Sequence, residues 1–281
     1  MVKISVIGIC GKSTFMYVDH FHQNGETVSA DTVFEEMGGK GINQAVAAAR
    51  MGAEVSFLCA VGTDVCAKEC YKVTKENKIH ASFVVKEDKT TTFAFILTDK
   101  SGENRVTVYR GAELCVEDVI AFSNEIAQSD VLLIQNEVPP EVNEKAVEIA
   151  TENGVKVILN PAPVSEISDK IVQTVFAVIP NEHEKQAIDV SKFKNCITTL
   201  GDKGCSINDR ITVPAIKQDT VDTTGAGDTF NGVLAVCIAE EMDIITSCKY
   251  AVTASGISVS KKYVLNSIPY REDIERMLKN E

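Results

Sequence analysis

Short apolar runs of strand character alternate with segments of helical periodicity along most of this chain. Strands are predicted at the following positions: 3–8, 55–61, Val131–Gln135, 155–159, 176–179 and 196–200. Helices are predicted between them, over 42–51, Val65–Glu76 and 140–151. Parallel strands need long crossover connections, usually helices, so this alternation predicts an α/β fold with a doubly wound, mostly parallel sheet flanked by helices.

Two segments, approximately 12–37 and 82–110, interrupt the alternation. They are rich in Thr, Val and Phe at a period of two, and the second contains the turn sequence Asp99-Lys100-Ser101-Gly102. This pattern predicts a small antiparallel β lid inserted into the α/β body. No linker or internal repeat separates the parts, so we expect a single domain over residues 1–281.

Charge and cysteine usage exclude several classes of function. A formal net charge of −12 disfavours non-specific binding to nucleic acid or to anionic membranes. The apolar runs are too short for a membrane span. Nine cysteines without a Cys-x-x-Cys pair, beside four histidines, do not complete a zinc pattern. Free thiols in a reducing cytoplasm are therefore expected.

The sequence VDTTGAGDTFNG near the C-terminus carries the sharpest chemical signal. Gly225, Ala226 and Gly227 open a predicted helix over 228–240. The unpaired N–H groups of a helix start can bind an anion closely when no side chain intervenes. Asp228 in the first turn can accept a proton from an attacking hydroxyl. The alternative is an ordinary helix start, with glycines for the turn and Asp228 as a favourable first-turn acid.

A second glycine-rich turn, GGKGIN, precedes the predicted helix over 42–51. Gly39 exposes backbone, while Lys40 and Asn43 add ammonium and amide donors. Such a turn suits a polyhydroxylated or anionic ligand. The alternative is a tight turn with a solvated lysine.

The N-terminal sequence VIGICGKST ends like a Walker A loop. That motif needs a glycine five residues before the Gly-Lys pair, where this chain has Val6. Gly8 is only three residues before Gly11, which is too close for the phosphate cradle. A nucleotide is therefore expected to bind elsewhere.

Taken together, GGKGINQAVAAARMG and DTTGAGDTFNG resemble the two signatures of the ribokinase (PfkB) family of carbohydrate kinases. The shorter sequences NGETV, NPAP, PNEHE, TLGDKG and SIP follow in the family's order, so the similarity covers nearly the whole chain. The resemblance implies a lid over the sugar site that is often used for dimerisation. It also implies magnesium-dependent transfer of the γ-phosphoryl group of ATP to a sugar hydroxyl.

The resemblance also implies roles for individual residues. Asp228 would be the catalytic base, and the backbone of Gly225, Ala226 and Gly227 the anion hole. The positions that hold the sugar would be Gly39, Lys40, Asn43 and Glu137. The nucleotide and its magnesium ion would be bound by Asn181, Glu184 (partly through water), Thr199, Gly201 and Gly204. Asn181 and Glu184 can equally form a helix cap after Pro180.

Two stretches depart from the family pattern. Gly11 and Ser13 occupy the positions of an Asn-x-Asp pair that hydrogen-bonds sugar hydroxyls in ribokinases. Losing both groups should change the accepted sugar or weaken its binding.

Near the C-terminus, Tyr263 replaces the glycine of the family's Arg-x-Gly-Ala stretch. A potassium site could still use the backbone of Asp222, Thr224 and Ser267.

The sequence thus favours an ATP-dependent sugar kinase. The alternatives are a nucleoside or phosphosugar kinase of the same fold and a non-catalytic metabolite-binding protein. The expected partners are ATP and a small sugar, without nucleic acid or membrane, and a homodimer could form through the lid.

Overall fold

Residues 1–280, which the computed structural model describes, form thirteen strands. The strands are β1 (Lys3–Ile7), β2 (Gly11–Val18), β3 (Ala30–Gly38), β4 (Glu54–Val61), β5 (His80–Val85), β6 (Phe93–Thr98), β7 (Asn104–Tyr109), β8 (Val131–Gln135), β9 (Lys156–Asn160), β10 (Ala177–Val178), β11 (Ile197–Thr199), β12 (Cys205–Ile207) and β13 (Ile211–Val213).

The same residues form ten α-helices and two short 3₁₀ turns, Val190–Lys192 and Gly201–Lys203. The α-helices are α1 (Lys40–Arg50), α2 (Val65–Glu76), α3 (Val116–Ala121), α4 (Ser123–Ala127), α5 (Pro140–Glu152), α6 (Asp169–Thr174), α7 (Glu182–Ala187), α8 (Ala226–Ala239), α9 (Ile244–Val259) and α10 (Arg271–Leu278).

Six strands form the central sheet, in the order β10-β9-β8-β1-β4-β5, and each neighbouring pair is parallel. Val6 of β1 lies opposite Phe57 on one side and Leu133 on the other. Successive side chains of a strand point to opposite faces, so each face buries its own core. Along β8, Leu133 packs in the core with α1, α8 and α9, whereas Leu132 packs in the core with α3 to α6. The predicted doubly wound α/β class is confirmed.

A separate four-stranded sheet forms the lid, in the order β3-β2-β6-β7. The β2–β3 and β6–β7 pairs are antiparallel, and the central β2–β6 pair is parallel. β2 and β6 follow β1 and β5, which are parallel and end at the same edge of the central sheet. Both lid strands therefore leave that edge in the same direction.

The predicted lid boundary at residue 82 is wrong. Residues 82–85 belong to β5, which pairs with β4 at the edge of the central sheet. The second lid segment begins at Phe93. A period of two identifies a strand but not its partner, which explains the error.

A third sheet, β11-β12-β13, is antiparallel and continues the central sheet beyond β10. Single parallel bridges join Val178 to Cys196 and Asn181 to Thr199. The Thr199 N–H also donates to the Pro180 carbonyl at 2.9 Å. The sequences PNEHE and TLGDKG therefore lie side by side.

Two other predictions from composition can be compared with the structure. All nine cysteines are free, and all but Cys66 and Cys115 are buried. Within residues 1–280, none of the helices is both long and apolar enough to cross a membrane.

Helices α1 and α8 approach each other unusually closely. A Cβ atom added to Gly232 of α8 would lie 2.5 Å from the Gln44 carbonyl oxygen and 2.5 Å from the Ala47 Cβ atom. Glycine at this position therefore allows the two helices to pack backbone to backbone and brings their N-terminal turns together.

We expect Gly232→Ala to destabilise the protein by about 1–3 kcal/mol, because the added methyl group has to push α1 away from α8. Urea unfolding measures the change. Alanine is intrinsically the better helix former by about 1 kcal/mol, so a stabilised variant would show that the close contact is unimportant.

Candidate active site

The carboxylate of Asp228 is buried in the first turn of α8 and is held by two amide side chains. Asn43 Nδ2 donates to Asp228 Oδ2 at 2.9 Å, and Gln44 Nε2 donates to Asp228 Oδ1 at 3.1 Å. Hydrogen bonds to an ionised acceptor are stronger than neutral ones. Each of the two carboxylate oxygens of Asp228 accepts from one amide, which leaves a lone pair on each oxygen to accept a proton.

A chain of buried amides extends from Asp228 to the ends of two central strands. Gln44 Nε2 also lies 3.3 Å from Asn160 Oδ1, and Gln135 Nε2 donates to Gln44 Oε1 at 2.8 Å. Gln135 ends β8 and Asn160 ends β9, at the edge where ligands of open α/β sheets bind. The motifs did not single out these three residues. For Gln135 and Asn160, a polar residue at the end of an apolar strand was the available signal, whereas Gln44 lies on α1 beside Asn43.

Asn43 and Lys40 present further polar groups close to Asp228. Asn43 Oδ1 is buried and has no hydrogen-bond partner among residues 1–280, so it can accept from a ligand hydroxyl. The Lys40 N–H donates to Glu137 Oε2 at 2.8 Å. Burial alone would lower the pKa of Lys40, but the carboxylates of Asp228, Glu137 and Glu184 outweigh it and raise this pKa. The ammonium therefore stays charged.

Glu137 is the acid with the strongest electrostatic perturbation at this site. Burial of its carboxyl, reinforced by the nearby Asp228 charge, raises the pKa of Glu137 to about 7. Lys40 and the backbone N–H groups of Lys40 and Gly41 act in the opposite direction. Glu137 can therefore donate or accept a hydrogen bond near neutral pH.

The turn before Asp228 leaves room for an anion. Gly225 caps α8 in the left-handed conformation, with φ of +75°. A Cβ atom on Gly227 would meet nothing within 4 Å. The first-turn N–H groups of Gly227 and Asp228 have no acceptor within the helix. An anion can therefore approach them directly.

A cleft of about 1210 Å³ opens beside this turn. It brings together six of the predicted residues: Asn181, Thr199, Gly201, Gly204, Ala226 and Gly227. It is also lined by residues that the motifs did not indicate, namely 215–220, Ser255 and Gly256. Its volume exceeds that of a typical ligand pocket.

Asn181 and Glu184 form a complete capping box at the start of α7. Asn181 Oδ1 accepts from the Glu184 N–H at 2.7 Å, and Glu184 Oε2 accepts from the Asn181 N–H at 2.9 Å. The helix cap that the sequence offered as an alternative role is thus present. Because Asn181 also lines the cleft, capping and ligand binding are compatible.

Gly11 and Ser13 lie on β2, opposite Gly38 and Glu36 of β3. A Cβ atom on Gly11 would lie 2.2 Å from the Thr92 carbonyl oxygen. Gly11 is therefore required by the close approach of the lid strand and cannot be replaced by asparagine in this backbone. Ser13 faces the same turn, since a Cβ atom on Gly38 would lie 3.5 Å from Ser13 Oγ.

Comparison with known proteins decides the family. The family model described as pfkB family carbohydrate kinase matches residues 1–271. The chain belongs to this family.

Two curated relatives of this pfkB family kinase are ribokinases. It is 33% identical to the ribokinase of Haemophilus influenzae, covering 99% of this chain and 98% of the relative. It is 35% identical to the ribokinase of Lactococcus lactis, again covering 99% and 98%. Among solved structures, the ribokinase of Thermotoga maritima is similar with a TM-score of 0.88 and 32% identity, covering 100% of both chains.

The predicted cation residues of this kinase lie around the loop before α8. Asp222 Oδ1 accepts from the Thr224 N–H at 2.9 Å, and Asp222 Oδ2 accepts from the Tyr263 N–H at 3.3 Å. Ser267 is buried, and its hydroxyl donates to the Val264 carbonyl at 2.8 Å. Tyr263 has φ of +72°, the backbone region that glycine favours. The loop thus keeps a glycine-like backbone at this position.

We expect Glu137→Gln to stabilise the kinase more at high pH than at low pH. Folding raises the pKa of Glu137 from 4.5 to about 7, so the folded chain retains a proton that the unfolded chain has released. Stability of the wild type therefore falls as the pH rises through this interval, and glutamine removes that loss. Urea unfolding of both proteins at about pH 5 and pH 8 measures it. A pH-independent difference between the two would contradict the shift.

Proposed function

We propose that this chain transfers the γ-phosphoryl group of ATP to a hydroxyl of a sugar. The observation that carries the proposal is the position of Asp228. Its carboxylate is buried, is bonded by Asn43 and Gln44, and lies in the helix turn whose backbone borders the large cleft. Transfer of a phosphoryl group to a hydroxyl is accelerated by a base next to an anion-binding group, and Asp228 adjoins the 225–227 backbone in this turn.

Asp228 acts as the general base in this proposal. Asn43 and Gln44 orient its carboxylate toward the acceptor hydroxyl, and the free Oδ1 of Asn43 accepts from the sugar. The backbone N–H groups at 225–227 stabilise the charge that develops on the transferring phosphoryl group. Lys40 adds a positive charge beside the same carboxylates. Proton removal and charge stabilisation are therefore supplied from adjacent residues of one helix turn.

The donor set near the cleft fits magnesium bound together with a nucleotide. Residues 1–280 contain no cluster of three acidic, histidine or cysteine side chains that could hold a metal by itself. Magnesium retains several waters and commonly takes one or two carboxylates plus phosphate oxygens. Asn181 lines the cleft, and Glu184 is hydrogen-bonded to it, so the two residues would hold such an ion, partly through water. When bound, it would neutralise charge on the phosphates.

The acceptor is proposed to be an unphosphorylated sugar that differs from ribose or is bound more weakly than ribose by a typical ribokinase. The two curated relatives described above are named ribokinases. This chain, however, has Gly11 and Ser13 at the positions where the ribokinase pattern has an amide and a carboxylate for the acceptor. Between residues 27 and 43, Lys40 is the single basic residue, which disfavours a phosphorylated acceptor. The site itself supports turnover rather than simple metabolite binding, because the base and the anion-binding turn are both present.

We propose a potassium site at the carbonyl groups of Asp222 and Thr224 and at Ser267, and a homodimer formed through the lid. The dimer proposal is supported by exposed apolar side chains on the lid strands: Val33, Phe95, Val106, Val108 and Tyr109.

The nine free cysteines support a reducing cytoplasm as the compartment. We further propose that residues 1–281 act as one kinase domain.

We expect Asp228→Asn to reduce kcat by about 10²- to 10⁴-fold, because asparagine cannot accept the proton of the acceptor hydroxyl. An ADP-release assay measures kcat, and the KM for ATP should change little. Asp169→Asn is the matched control, since Asp169 is an exposed acid in the first turn of α6. Equal activity of wild type and Asp228→Asn would remove Asp228 as the base.

We expect an ADP-release screen over pentoses, ketohexoses, nucleosides and their phosphates to identify an unphosphorylated sugar as the best acceptor. The screen is run with and without potassium, and we expect potassium to increase the rate. Preference for a phosphorylated acceptor would contradict the acceptor assignment. No sugar-stimulated ADP release with any compound would contradict the proposed function itself.

A further inference from the structure

Lid strand β3 touches the segment 263–265, which lies far from it in sequence. Both carboxylate oxygens of Glu36 accept from the Val264 N–H, at 3.0 and 3.1 Å. The ring of Phe34 stacks on the ring of Tyr263, with 3.8 Å between centroids and 17° between planes. Residues two apart on a strand share a face, so Phe34 and Glu36 form one contact surface. We call this pair of contacts the lid latch.

The Glu36 contact is specific rather than a surface ion pair. Burial raises the pKa of Glu36, while the backbone N–H groups of Val264 and Leu265 counteract the shift. A half-buried carboxylate needs such donors to offset its lost solvation. By contrast, the exposed side chain of Glu35 points to the opposite face of β3, where it pairs with the half-buried ammonium of Lys12.

The segment 263–265 supports the N-terminus of α8. The Val264 side chain packs directly on Gly225, since a Cβ atom there would lie 2.3 Å from Val264 Cγ1. Asp222 connects the same two parts of the chain, accepting from the Tyr263 N–H and from the Thr224 N–H. A displacement of 263–265 would therefore move the turn that carries the anion-binding N–H groups.

Tyr263 holds this position at a conformational cost. Its φ of +72° is unfavourable for a residue with a large side chain. Its backbone N–H is bonded to Asp222, and its ring is stacked on Phe34. The stacking contact with the lid gives a reason for a tyrosine where glycine would adopt the backbone more easily.

We infer that Glu36 and Phe34 are positioning residues, through which the lid fixes the anion-binding turn 225–227 in its productive geometry. The inference rests on the proposed phosphotransfer. Lid closure excludes water and commits the substrate in many enzymes. Here the lid would also hold the phosphoryl site in place.

The first test compares Glu36→Ala with Glu35→Ala, the matched control on the other face of β3. We expect Glu36→Ala to lower kcat by about 10- to 100-fold, as small misplacements of a catalytic group do, with the KM for ATP nearly unchanged. Glu36→Gln keeps an acceptor oxygen at the same reach and should recover most of kcat. A loss of kcat equal to that of Glu35→Ala would overturn the inference.

The second test uses Tyr263→Gly, which removes the stacking contact and relieves the unfavourable φ. We expect kcat to fall while thermal stability is kept or raised, a combination that general damage to the fold would not produce. Wild-type kcat in both Tyr263→Gly and Phe34→Leu would overturn the role of the stack.

A third measurement separates this inference from the proposed function. In the ADP-bound protein, hydrogen exchange of the amides at 225–230 should be faster in Glu36→Ala than in wild type or Glu35→Ala. This readout needs no turnover, so it stands even when the wild type transfers phosphoryl to none of the sugars. Unchanged exchange in Glu36→Ala would overturn the inference on its own.

Discussion

The contact between the N-terminal turns of α1 and α8 is the interaction on which the candidate site depends. It places the amides of Asn43 and Gln44 on both oxygens of Asp228. That geometry requires two helices to approach almost backbone to backbone, which Gly232 permits. The proposed base and the proposed anion-binding turn belong to the same helix, so the α1–α8 contact sets the position of both relative to the rest of the site.

The lid adds a second connection to the same helix. Through Glu36 and Tyr263, β3 reaches the segment that packs on Gly225. The lid and the helix start that carries Asp228 are therefore in contact through this segment. Lys40 lies near the carboxylates of Asp228, Glu137 and Glu184. Because the pKa of Glu137 is raised, this acid is partly protonated near neutral pH, which reduces the repulsion among the three carboxylates.

The sequence predicted five of the six central strands and four of the ten helices within residues 1–280, together with the two glycine-rich helix starts. These features have local causes, since apolar period and glycine placement act through neighbouring residues. Residues 82–85 were assigned to the lid because a strand pattern does not specify its partner. Gln44, Gln135 and Asn160 were missed because their hydrogen bonds join residues about 90 or more positions apart. The lid latch was missed for the same reason.

The N-terminal segment VIGICGKST has one property that follows from its local spacing and another that follows from tertiary packing. Its spacing alone excluded a Walker A loop, because that motif is a local backbone geometry. The need for glycine at Gly11 follows only from tertiary structure, where the Thr92 carbonyl occupies the space of a side chain. Local patterns thus determined the fold class, the family resemblance and the anion-binding turn. Packing between distant segments decided which strands pair, which amides hold Asp228 and how the lid meets α8, because such contacts depend on shape and charge that no single segment encodes.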